Sequence, residues 1–74
     1  MGMYILLRMS GSRIECVVIP ENQMRHVKKL MKNRRKFADF VEIANWKPLE
    51  ALPNAKTVAE CSFNDEYYVL VREE

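Results

Sequence analysis

Pro20-Glu21-Asn22-Gln23-Met24-Arg25-His26-Val27-Lys28-Lys29-Leu30-Met31-Lys32-Asn33 is the stretch whose apolar residues repeat most clearly with helical spacing. Met24, Val27, Leu30 and Met31 stand three and four apart, which at about 100° per residue gathers them into one sector of a helix. The spacing predicts a helix from about Glu21 to Asn33. Pro20 suits its first position and Glu21 the positive end of its dipole. Arg34 would rotate into the apolar sector, so the helix is predicted to stop before or near it.

Upstream, residues 3–9 and 13–19 are rich in strand-forming residues and flank Ser10-Gly11-Ser12, where Gly11 is free to take positive φ. They read as a hairpin. Ile14, Cys16 and Val18 alternate with Arg13, Glu15 and Val17, the period of a strand with one buried face, and Ile5 and Leu7 are the expected inward pair of the first arm.

Downstream, residues 37–44 are read as a strand because Val41 and Ile43 alternate with Glu42 among aromatic and β-branched neighbours. A second short helix is the alternative, since Phe37, Phe40, Val41 and Ala44 also match helical spacing. Pro48 and Pro53 make 45–55 a loop, with room for one helical turn near Leu49. Residues 56–63 and 66–72 then form a second hairpin about Asn64-Asp65, two residues that tolerate the positive φ of tight turns. Thr57, Ala59, Cys61 and Phe63 should share one face of its first arm.

The expected architecture is α+β in the order ββαβββ: a single, mostly antiparallel sheet with one basic amphipathic helix packed on one face. At 74 residues there is room for one small domain spanning 1–74 and for a thin core. The residues from Met1-Gly2 onward lack the basic leader and sustained apolar stretch of a secretory signal. Leu6 stands where an acylation motif at Gly2 would want Ser or Thr. No apolar run approaches the roughly 20 residues that span a bilayer. A cytoplasmic protein without membrane attachment is the expectation.

The residues of acid–base, nucleophilic and metal chemistry are sparse and scattered. Cys16 and Cys61 are 45 positions apart, with no CxxC pair, and are expected to be small apolar strand residues. His26 is the single histidine and lacks a carboxylate three or four residues away to orient it. The adjacent acids Asp65-Glu66 and Glu73-Glu74 fall at a turn and a terminus, where nothing desolvates them. No catalytic residues, metal or cofactor are expected, and the chain is not read as an enzyme. A share in a composite site would have to draw on Cys61, His26 and Asp39.

Charge carries more information. Net charge is only +2, yet seven of the twelve Lys and Arg fall within residues 25–36, a window with no acid. On a continuous helix Arg25, Lys28, Lys29, Lys32, Arg35 and Lys36 would occupy about 120° of arc beside the apolar sector. This stripe is the candidate surface for nucleic-acid phosphates or an acidic partner. A solvated helix face is the plainer alternative. No helix-turn-helix partner, zinc-finger spacing or glycine-rich phosphate loop accompanies it.

Tyr4, Tyr67 and Tyr68 could stack bases on the sheet, but strand packing is the commoner use of such residues. Trp46 is a possible interface residue, or else a lid folded back over the thin core. The leading expectation is a non-catalytic binding or regulatory module that contacts a protein partner or forms a homodimer through free strand edges. The alternative is non-specific nucleic-acid binding through residues 25–36.

Overall fold

The computed structural model describes residues 3–74; Met1 and Gly2, read above against an acylation motif, lie outside that range. The fold is α+β, with a single five-stranded antiparallel sheet and two helices. The strands are β1 (Tyr4–Ser10), β2 (Arg13–Ile19), β3 (Lys47–Leu49), β4 (Ala55–Phe63) and β5 (Glu66–Glu73). The helices are α1 (Met24–Leu30), entered through a 3-10 turn at Glu21–Gln23, and α2 (Arg34–Ile43). The spatial order is β3-β2-β1-β5-β4, every neighbouring pair antiparallel.

Both tight turns follow from local chemistry. Gly11 takes φ of +61° in the β1–β2 turn, while Asn64 and Asp65 take +51° and +63° in the β4–β5 turn. Two successive positive φ values give the type I′ geometry whose twist matches that of the strands.

The largest departure from the expected order is at 37–44, which is helical and not a strand. Asn33 caps α2, its side-chain oxygen accepting from the Lys36 amide at 3.2 Å. Phe37 and Val41 then point into the core, whereas Ile43, which a strand would have buried beside Val41, is 82% exposed. The local β-propensity of Phe, Val and Ile is overridden by the cap and by the apolar face that α2 lays on the sheet. The third strand is instead the short β3, inside the stretch read as loop; Pro48 fits there because β3 is an edge. The order is therefore ββααβββ, and two helices cover the sheet.

Each face of the sheet has its own cluster. On the helix side Leu6, Ile19, Tyr68 and Leu70 pack with Val27 of α1 and Met31 just beyond its end, and with Phe37 and Val41 of α2. On the other side Ile5, Leu7, Val69 and Val71 are buried, flanked by Met9, Ile14, Cys16, Leu49 and Ala55. Ile5 and Leu7 thus do point into a core, but not the one the helices cover. In β2 the pattern resolves similarly: Val17 and Ile19 face the helices, Ile14 and Cys16 the second cluster, and Val18 is exposed. A bulge between Thr57 and Ala59 also corrects the expected face of β4. Thr57 pairs with Val71 on the second face, while Val58, Ala59, Cys61 and Phe63 pack on the helix side.

The second cluster has no helix over it, and the chain path explains its burial. β3 ends at Leu49, level with Ile14 and Met9, whereas β4 begins at Ala55, level with Glu73 and Met3 at the opposite end of the sheet. On a flat sheet these corners would be about 28 Å apart, from four strand spacings of about 4.8 Å and six residues of about 3.3 Å rise. The connection has five residues, 50–54, and six Cα steps reach at most about 22 Å. The sheet must coil so that the two corners approach on one face. Leu49 and Ala55 accordingly pack against the same cluster from opposite edges.

Candidate functional site

The α1 surface is built by the wheel that forms the helix. Val27 is buried against the sheet, so Arg25, Lys29 and Lys32 stand exposed on the outer side and Lys28 is half-buried at its flank. Arg25, Lys28, Lys29 and Lys32 line one shallow groove of about 280 Å³. The helix does not continue through Arg35 and Lys36 as the stripe required. After Leu30 the chain turns through Met31 and Lys32, the Asn33 amide bonding the Leu30 carbonyl at 2.8 Å, and α2 starts afresh at Arg34.

The cations therefore form two groups. Arg35 and Lys36 are exposed in the first turn of α2, and the Arg34 guanidinium lies 5.9 Å from the Phe63 ring centroid. That turn contains no acid, and the last turn of α2 no base. The acids Asp39 and Glu42 come later in the helix, so the charges of α2 run against its own dipole. Each such charge costs roughly 0.3–1 kcal/mol when the end is exposed. The two in the last turn of α1, Lys28 and Lys29, sit favourably by contrast.

Among the described residues the one ion pair is Arg8–Glu15, at 2.8 Å across β1 and β2. None of the seven cations of residues 25–36 is paired. The fold does bring a second helix, α2, beside the basic one. Its outward Asp39 and Glu42, however, would face phosphates with like charge.

Trp46 is folded back toward the sheet. Its indole N–H donates to the Val41 carbonyl at 2.9 Å, the Arg8 guanidinium lies 4.2 Å from its ring centroid, and Tyr68 packs near it. Arg8 and Trp46 thereby fasten the chain leaving α2 to the sheet. Burial works against the Arg8 charge, but the Glu15 carboxylate and the Tyr68 hydroxyl hold it, and its pKa rises above the ordinary value.

Burial raises the Tyr68 pKa, with Glu66 adding to the rise and Arg8 opposing it. The neutral phenol is favoured in the fold, so its stabilisation is intact below the ordinary tyrosine pKa of about 10 and is lost as pH rises through the higher folded value. Melting temperature should fall across that alkaline window, and Tyr68→Phe should flatten the fall. An unchanged slope in the variant would disprove the assignment to Tyr68. Cys61, raised by burial, and Tyr67, raised by its hydrogen bond to Glu60, contribute to the same limb.

The residues considered for composite chemistry are separated by environment. Cys61 packs on the helix-side core, while His26 on α1 and Asp39 on α2 are exposed. Cys16 and Cys61 are free thiols on opposite faces of the sheet. Among the described residues no three of His, Cys, Asp and Glu converge as a metal site would need, and no helix is long and apolar enough to cross a membrane. No protein-family model, curated protein or solved structure matches the chain. The basic helical face is the arrangement with the most evident chemical direction.

Proposed function

We propose that the chain is a non-catalytic binding module whose working surface is the cationic face of α1 with the entrance of α2, and whose partner is the phosphate backbone of nucleic acid. The observation that carries this reading is the placement of unpaired charge. Four cations share one groove, and two more stand exposed at a helix end whose dipole disfavours them. Stability alone would place acids there. Departures from local consistency are expected where a surface serves binding.

The protein-contact alternative rests on the sheet edges, which are poorly suited to pairing. β3 has three residues and contains Pro48, while β4 is bent by its bulge and carries Lys56. Among the described residues the exposed large apolar ones are Met3 just before β1, Val18 on β2, Ile43 on α2, Leu52 in the 50–54 connection and Tyr67 on β5.

A fluorescence-polarisation titration with a short duplex at several salt concentrations tests the proposal. With four to six phosphates neutralised, log affinity should fall with log salt at a slope of about −4 to −5. Lys28→Gln, Lys29→Gln and Lys32→Gln combined should make that slope about 2 to 3 shallower without unfolding the domain. Arg35→Glu should weaken binding while stabilising the fold by roughly 0.3–1 kcal/mol through the helix dipole. Absence of binding at about 50 mM salt would sink the proposal.

A further inference from the structure

We infer that the nucleic acid this surface takes is a duplex, held by its backbone without regard to sequence, in preference to a single strand; the inference rests on the phosphate-binding reading above. Sequence-tolerant single-strand binding combines a cationic track with aromatic rings on which bases stack. The chain has seven aromatic residues, and the structure accounts for every one.

Phe37 and Tyr68 are buried beneath the helices. Phe40 and Phe63 pack on the same core, and one face of Trp46 is taken by Arg8. Tyr67 faces the opposite side of the sheet, its hydroxyl bonded to Glu60. Two aromatic residues come near the cations. The partly buried Phe63 ring already carries the Arg34 guanidinium at 5.9 Å, in a depression shared with Asp65 and Glu66. Tyr4 lies in the depression that also holds Arg25. It is half-buried against the core, and Glu21 shares that depression, placing a carboxylate where a strand stacked on Tyr4 would carry phosphate. The surface therefore offers charge without a stacking track.

A row of cations gains most where phosphate density is greatest. Duplex DNA carries one charge per about 1.7 Å of axis, and α1, seven residues long, covers about 10 Å of it. Each neutralised phosphate contributes about 0.9 to the salt slope on duplex and about 0.7 on single strand. With five contacts, that difference over the decade from 1 M to 0.1 M salt separates the two affinities by about tenfold.

Base reading is not provided for. The outward row is Lys-rich, and α2, which could supply a reading helix, turns Asp39 and Glu42 outward.

The test titrates the intact protein with a 20-base-pair duplex and with each of its single strands, in two unrelated sequences, from 50 to 300 mM salt. The expected result is about tenfold tighter duplex binding near 100 mM salt, equal for the two sequences, and unchanged by Tyr4→Leu in a variant whose melting curve shows it folded. Single strands bound as tightly as duplex, or a marked preference for one sequence, would overturn the inference and leave the phosphate-binding reading standing. Failure to bind either form at 50 mM salt would overturn both.

Discussion

Replacement of Phe37 by alanine is expected to destabilise the protein by about 3–5 kcal/mol, the range for removing a buried phenyl ring. Phe37 is 1% exposed and stands at the centre of the aromatic cluster, 4.9 Å from the Tyr68 ring centroid and 6.2 Å from that of Phe63, both edge-on. The partly buried Phe40 lies one helical turn away at 6.3 Å. A domain of this size has little stability to spare, since folded proteins as a class are stable by only about 5–15 kcal/mol. Urea unfolding should show a loss of about 3–5 kcal/mol, which takes up most of the stability at the lower end of that range. Ile43→Ala is the matched control: its side chain is solvent-exposed, so a change within about 0.5 kcal/mol is expected. Were residues 37–43 a strand with Val41 and Ile43 inward, the Ile43 variant would be costly as well. A small effect at Phe37 or a large one at Ile43 would contradict the placement of α2.

The contrast between these two residues marks what could be read before the fold was known. Turns were legible at Gly11 and at Asn64-Asp65, because a required φ is a property of one or two residues. So was the stop near Arg34, because a cation rotating into an apolar sector is visible on one helix. The identity of 37–43 depended on a choice between local β-propensity and a three-and-four period, and the packing of Phe37 on Tyr68, more than thirty residues away, decided it. The side on which Thr57 falls depended on a bulge that nothing in the alternation of β4 announced. Ile5 and Leu7 were recognisable as buried, but the uninterrupted apolar run Ile5-Leu6-Leu7 belongs to a strand covered on both faces, and a period-two reading assigns only one. At the candidate site the charges were countable from composition alone. Their division between two helices was not, because it follows from the Asn33 cap, and with it came the opposition of Arg35 and Lys36 to the α2 dipole.

The connection between β3 and β4 should be intolerant of shortening and tolerant of lengthening. Residues 50–54 join opposite corners of the sheet, and even the full reach of about 22 Å requires a coiled sheet. Deleting Ala51 and Leu52 leaves four Cα steps, a reach of about 14 Å, so either β3 must leave β2 or the first residues of β4 must leave β5. Either loss uncovers Ile5, Leu7, Val69 and Val71, each worth about 1.5–3 kcal/mol when fully buried; exposing half of that surface costs about 3–6 kcal/mol. The exposed side chain of Leu52 itself contributes little, so Leu52→Ser should be nearly neutral. Inserting two glycines at the same point adds only loop entropy, well under about 1 kcal/mol. Unfolding curves for the deletion, the insertion and the point variant should therefore separate into one severely destabilised protein and two close to the parent. The deletion should also speed alkylation of Cys16, which lies beside the exposed cluster, more than that of Cys61 on the helix side. A deletion variant as stable as the parent, with Cys16 still protected, would mean that the second cluster is closed by the strands themselves and owes nothing to the span of residues 50–54.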